Sequence, residues 1–325
     1  MAAEEKLAEG VAALGVSDGG GGGAAASPAA SLFGGGGAGL FGAAPAASVF
    51  SFADAATKLK PGNTVSKRIE GVDASQTWSP TDASKFSVRC GPDYKKNGTK
   101  APSAAAFYDV VSVDIIDSGS TLQTHVAERM DLPEAPPQAE CGPLPPLFIV
   151  NWQMPYNAPA IQGAKKVEKA PGSNAIIVCK ISAATLEEVK KPVESWSAAL
   201  RLLVNFVEKA ATDKAVKECF KAISIVDNIS ELKLGSFIEG YNGKPVLITK
   251  SGQVFQGEGY LEFDINVHVW NMMARKTLKS LQPNVSRMTV DSGFVIQGTA
   301  DDELPEIMLA ACRLHRCRWT VGTAE

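Results

Sequence analysis

Two carboxylates stand two residues apart in the run Tyr260-Leu-Glu-Phe-Asp-Ile265, so Glu262 and Asp264 share one face of a strand. Such a pair can divide acid and base work between its members when a substrate lies within reach. On an alternating strand the simpler expectation is an exposed polar face, or pairing with a lysine or arginine of the next strand. A second acidic group, Asp301, Asp302, Glu303 and Glu306, reads as the first turn of a helix, where the macrodipole favours carboxylates and Pro305 is tolerated. The chain has three histidines. His268 falls at a strand-to-helix junction, which suits a capping or buried polar contact. His315 lies among Arg313, Arg316 and Arg318, whose charges disfavour its protonation. Cys312, His315 and Cys317 could begin a metal site, but zinc needs about four ligands and no matching pair stands elsewhere. No nucleophile elbow and no phosphate loop occurs. The sequence therefore assigns no catalytic residue, no metal and no cofactor, and the expectation is a protein that is not an enzyme.

The remaining chemistry is basic. Lys95 and Lys96 belong to one lysine-rich loop, Arg275 and Lys276 to a helix, and Arg313 to the C-terminal cluster. If these sets converge, they can hold an anionic headgroup through charge-assisted hydrogen bonds; apart, they are solvated surface.

The elements that must position these groups follow from periodicity. Residues 107–116, 147–154 and 175–181 read as strands, the last antiparallel to the one before it. A helical middle follows. Thr185 and Glu188 have capping-box spacing, and Val193, Trp196, Leu200, Leu203 and Val207 mark one face, with Pro192 near its start or at a kink. A short helix is expected over 213–220, then strand-like runs at 222–226, 232–238 and 245–250. The end of the chain reads strand, helix, strand, helix: 260–267, 270–281, 288–296 and 304–314. Strands and helices do not alternate one by one, which argues against a doubly wound sheet. The expected class is α+β, with one large, mostly antiparallel, curved sheet gripping a long helix. That form can enclose an apolar cavity, for which Trp152, Trp196, Trp270, Met273 and Phe294 are the candidate lining.

Composition sets outer bounds. With 325 residues, 45% hydrophobic and 21% charged, the chain is that of an ordinary globular protein, and a net charge of -3 gives no argument for nucleic acid. Residues 1–50 are rich in Gly, Ala and Ser and are expected to be disordered, leaving 51–325 as the folded domain. There is no run near 20 apolar residues and no secretory signal pattern, and the six cysteines lack CxxC spacing. The expectation is an intracellular protein, cytoplasmic or peripherally membrane-associated.

Several of these segments also carry a family resemblance. Gly259-Tyr-Leu-Glu-Phe-Asp-Ile265, Phe294-Val-Ile-Gln-Gly298, Asp302-Glu-Leu-Pro-Glu306 and Cys312-Arg-Leu314 resemble the C-terminal domain of the plant Enhanced Disease Resistance 2 family. Upstream the same succession continues: Trp78, a short strand ending in Val88-Arg89, a glycine-to-Tyr94 turn, the lysine loop and an apolar strand. Here Cys90 displaces the glycine by one. The resemblance covers about residues 75–318. The pleckstrin-homology and START domains that precede this domain in the plant protein are not read in the chain, so phosphoinositide binding is not carried over. What the resemblance implies is a membrane-associated, lipid-linked regulator of stress or defence and cell death. Two readings follow: a non-catalytic domain that binds lipid or another apolar ligand, with START-like form, or a module that docks a protein partner.

Overall fold

The computed structural model describes residues 58–119, 122–156 and 171–319. The head expected at 1–50 and the loop lysines Lys165, Lys166 and Lys169 lie outside the described residues.

Thirteen strands are described: β1 (Ser66–Lys67), β2 (Thr77–Pro80), β3 (Ser87–Arg89), β4 (Lys100–Pro102), β5 (Tyr108–Gly119), β6 (Leu147–Pro155), β7 (Gly172–Ile181), β8 (Phe220–Val226), β9 (Val246–Leu247), β10 (Gly252–Gly257), β11 (Tyr260–Asn266), β12 (Thr289–Ile296) and β13 (Met308–His315). The α-helices are α1 (Tyr94–Asn97), α2 (Ala183–Val189), α3 (Ala198–Lys209), α4 (Lys214–Lys217), α5 (Ile229–Leu232), α6 (Ser236–Glu239) and α7 (Met272–Leu281). Among the described residues no helix is long and apolar enough to cross a membrane.

The class is α+β, but the strands form two large sheets rather than one. The first has the order β1-β2-β13-β12-β8-β9, the second β10-β11-β6-β7-β5, and β3-β4 is a separate hairpin. Pairing is antiparallel except at β1–β2 and β11–β6. Both sheets contribute to one core cluster: Phe148, Ile177 and Cys179 from the second, Phe220, Phe294 and Ala310 from the first, and Leu200, Leu203 and Phe206 from α3. Phe220 stacks on Phe263 with ring centroids 3.9 Å apart, and further ring contacts join it to Phe148, Phe206 and Phe294. Each such aromatic contact is worth about 1 kcal/mol beyond the area it buries. The space between the sheets is therefore filled, and the apolar hollow gripped by one curved sheet is not the arrangement found.

Three local readings also change. The stretch 304–314 is not a helix: it leads from a 3-10 turn into β13. Residues Met308 to Cys312 are all buried, because two separate core clusters pack on the strand, one taking Leu309, Ala310 and Cys312 and the other Met308 and Ala311. A strand buried on both faces has no alternation, and its apolar run is indistinguishable from a helical stripe. The segment 232–238 is not a strand; it spans the end of α5 and the start of α6. The helical middle breaks at Pro192. α2 is capped by Ser182 rather than Thr185, and α3 begins only after Ser197, whose side chain accepts from Leu200 N.

Candidate functional site

Strand β11 is buried on both faces, so its carboxylates do not meet water as alternation predicted. The outer face of the second sheet is covered by the segment 122–130, which carries a 3-10 turn at Val126–Arg129. Glu262 accepts from the first two amides of that turn: Oε1 from Val126 N and Oε2 from Ala127 N, both at 2.8 Å. Asp264 Oδ2 accepts from His125 N at 3.2 Å and Gln153 Nε2 at 3.1 Å, and Oδ1 from Asn151 Nδ2 at 2.9 Å.

Register explains the set. Asp264 on β11 stands opposite Asn151 on β6, and Gln153 on β6 stands opposite Asn174 on β7. The neighbouring strands thus offer carboxamides where lysine or arginine was expected. The carbonyl of Gln123 gathers three of their donors, from Asn151, Gln153 and Asn174, at 3.2, 2.8 and 2.9 Å. His125 completes the cover: its ring stacks on Phe255 at 4.5 Å, and its Nε2 lies 2.8 Å from the Tyr260 hydroxyl.

The cluster holds an excess of buried negative charge. Burial and the neighbouring Glu262 carboxylate push the Asp264 carboxyl up to about 9. Arg129 lies within electrostatic reach of both carboxylates, and burial lowers its own pKa. The cluster is also incomplete in hydrogen bonds. Gln153 Oε1 and Asn174 Oδ1 are buried and accept no hydrogen bond from the described residues, although the residues are 1% and 0% exposed. An unmet buried acceptor costs about 1–3 kcal/mol. Beside it lies a cavity of about 130 Å³, lined by Asp264, Gln153, Asn266, Thr124, Lys250 and Val269 among others. A second, more open cleft of about 220 Å³ lies between Pro143, Pro145, Gln256 and Tyr260 and meets this network only at Tyr260.

Val269 leads to the adjoining edge. A 3-10 turn at Val267–Val269 follows β11, with Asn266 Oδ1 accepting from His268 N; Asn271 then caps α7 by accepting from Ala274 N. His268 is buried in the turn, not at the cap. Burial, with a smaller part from Arg275, lowers its pKa to about 4, so it stays neutral. It packs against Gly172 so closely that a Cβ there would meet its Nε2 at 3.0 Å. Outside it, Val269, Met272 and Met273 are 47%, 51% and 60% exposed, and the α7 side chains Lys276 and Lys279 are exposed beside them.

The other expected site residues are dispersed. Lys95 and Lys96 sit on α1 in the β3–β4 hairpin, with Lys96 paired to Asp93 at 2.7 Å. Arg275 and Lys276 are on α7, Arg275 half-buried. Arg313 lies within β13, bound by Asp291 at 2.6 Å and Asp227 at 3.2 Å, so its charge is committed inside the fold. Trp152 does meet Trp270 and Phe294, at ring distances of 6.1 and 6.3 Å, but as mutual packing rather than as the wall of a hollow. Trp196 is buried at the start of α3, its indole N–H donating to Lys191 O, and Met273 faces outward. Cys312 and Cys317 are buried free thiols, and His315 lies 2.8 Å from Arg68 and 2.9 Å from Ser79. No group of metal ligands occurs among the described residues.

The acidic run at 301–306 divides in two. Glu303 accepts from Thr299 N and Ala300 N at the start of a single 3-10 turn, whereas Glu306 is buried and holds Lys221 Nζ at 2.7 and 2.8 Å. Sequence reasoning missed Lys221. Its signal was a lone lysine inside the apolar strand Phe220-Lys-Ala-Ile223.

Comparison with known proteins locates this architecture. The family profile described as Protein ENHANCED DISEASE RESISTANCE 2, C-terminal, matches residues 78–317, from β2 to just beyond β13. No curated protein and no solved structure matches the chain. The matched segment is most of the chain and contains the whole buried carboxylate network, and the chain belongs to the Enhanced Disease Resistance 2 C-terminal family.

Proposed function

We propose that this domain is a non-catalytic regulatory module of stress or defence signalling that docks reversibly on an anionic membrane surface through the edge at Val269 and α7. The observation that carries the reading is the exposure of three apolar side chains in five residues, Val269, Met272 and Met273, next to Arg275, Lys276 and Lys279, with no acidic residue on α7. A basic amphipathic helix with apolar groups at one end suits the interface plane of a bilayer. Three partly exposed apolar groups and three cations at roughly 1 kcal/mol each give about 6 kcal/mol, an affinity in the tens of micromolar. The stacked phenylalanines that fill the space between the sheets support a surface mode over an interior one.

Flotation with vesicles of phosphatidylcholine and phosphatidylglycerol tests the proposal. The wild-type chain should float with anionic vesicles, and added salt should weaken it. Met272→Glu with Met273→Glu should weaken it at least tenfold while leaving the circular dichroism spectrum unchanged. Equal flotation of that variant would refute the reading.

A second reading, docking of a protein partner, draws on a different patch: Ile69 and Val72, 72% and 48% exposed in the turn between β1 and β2. Pull-down of a partner lost in Ile69→Asp but retained in the methionine variant would favour it.

A further inference from the structure

We propose that Met272 and Met273 form a modification site for peroxide, and that their oxidation to methionine sulfoxide releases the domain from the membrane surface. The release rests on the docking reading above; the modification itself does not.

Exposure sets these two thioethers apart. The chain has seven methionines. Met1 lies outside the described residues, and Met130, Met154, Met288 and Met308 are between 0% and 8% exposed. Among the described residues only Met272 and Met273 are exposed, at 51% and 60%. Local structure keeps them open. Asn271 caps α7, so both occupy its first turn, and no residue of that helix is buried. A peroxide therefore reaches the two sulfurs without any part of the core opening. The cysteines compete poorly. Cys141, Cys179, Cys312 and Cys317 are buried, and Cys90 and Cys219 are half-buried. Burial pushes up the thiols of Cys141, Cys179, Cys219, Cys312 and Cys317, which disfavours the thiolate that peroxide attacks.

The step needs hydrogen peroxide alone. A lone pair of the thioether sulfur attacks one peroxide oxygen, the O–O bond breaks, and the departing hydroxide takes up the remaining proton and leaves as water. Sulfur loses two electrons and the peroxide gains them. A polar S=O group then stands where an apolar side chain was. It resists burial beside acyl chains. It is also a hydrogen-bond acceptor within helical reach of Lys276, four residues beyond Met272 and three beyond Met273. Oxidation thus removes two of the three apolar contacts of the docking edge and offers one of its cations a partner within the protein.

The test treats the full chain with hydrogen peroxide and follows it by peptide mapping, circular dichroism and flotation with the same anionic vesicles. Trypsin releases residues 251–275 as one peptide, which carries Met272 and Met273 and no other methionine. Tandem mass spectrometry should place one oxygen on each of the two before the peptides of the buried methionines gain any. The circular dichroism spectrum should stay unchanged, and flotation should weaken at least tenfold. Methionine sulfoxide reductases for both epimers should restore it. Met272→Leu with Met273→Leu, compared with itself before and after peroxide, should show no loss. Uniform oxidation of all the methionines overturns the proposal, and so does full flotation of the doubly oxidised chain. An equal loss in the leucine variant also overturns it, by assigning the effect to a thiol or to Trp270. If the untreated chain fails to float, the docking reading falls and the release falls with it, while the peptide map still decides the modification site.

Discussion

Each large sheet buries charge, and the two do it in opposite ways. In the first sheet, Lys221 on β8 places its ammonium between both oxygens of Glu306, which also accepts from Gly298 N at 2.9 Å and Arg89 N at 3.2 Å. Lys221 and Glu306 are about 4% and 1% exposed, Arg89 adds a second, more distant cation at 3.9 Å, and the anion's remaining lone pairs are used. In the second sheet two carboxylates lie side by side: Glu262 is held by backbone amides and Asp264 by an amide and two carboxamides. Burial and Glu262 raise the Asp264 pKa, and two carboxamide oxygens find no donor among the described residues. The first arrangement is closed and has nothing left to bind. The second carries a standing cost of desolvated charge and orphan oxygens, and it adjoins the cavity. That difference separates a closed ion pair from a network that carries uncompensated polar groups.

The sharpest way to break the contrast is to open the closed pair. Glu306→Ala should cost about 3–5 kcal/mol, because it strands Lys221 in the core, whereas Lys221→Met with Glu306→Leu should recover most of that loss. Urea denaturation followed by tryptophan fluorescence measures both. In the other sheet, Glu262→Ala orphans the amides of Val126 and Ala127 and should cost about 1–3 kcal/mol. Hydrogen exchange of 122–130 should accelerate selectively, and a uniform acceleration across both sheets would contradict its role as the clasp of that segment.

pH sharpens the contrast further. The folded pKa of Asp264, about 9, lies above the ordinary 3.8 of a free aspartate, so its contribution is fully present below 3.8 and is lost as pH rises toward 9. The slope is at most about 1.4 kcal/mol per pH unit. Asp264→Asn fixes the neutral form and should flatten stability between pH 6 and 9. His268 works on the acid side. Its pKa is depressed from 6.5 to about 4, so its contribution is present above 6.5 and lost as pH falls toward 4. His268→Gln should therefore flatten the acid limb alone. The smallest effect belongs to the surface: Lys96→Ala removes an exposed pair with Asp93 and should leave the melting temperature unchanged.

Much of the scaffold was legible because its strands carry local signals. The β-branched run at β5 and the apolar runs at β6 and β7 announced themselves, as did the pairing of β6 with β7. What could not be read was partnership across the chain. β13 looked helical because two separate core clusters, built from distant parts of the chain, bury both of its faces. Glu262 and Asp264 were located on one face correctly, but their exposure depended on a cover, 122–130, whose sequence suggests a helical turn at 123–129 but not that the turn folds over β11. Asn151, Gln153 and Asn174 were individually unremarkable polar residues in apolar strands. Only the register that lines them up makes them a network. Trp152, Trp270 and Phe294 do come together, yet the choice between lining and filling depends on the second sheet, which periodicity does not reveal.

β2 opens the family segment and β13 closes it, and they are hydrogen-bonded neighbours, with Thr77 facing His315. Entry and exit of the domain therefore lie side by side. A host protein could receive this unit in a surface loop without separating its own flanks, provided that residues 58–76, whose Leu59 and Val65 are buried in the core, travel with it. Trimming either end, by contrast, would unzip a sheet from its middle.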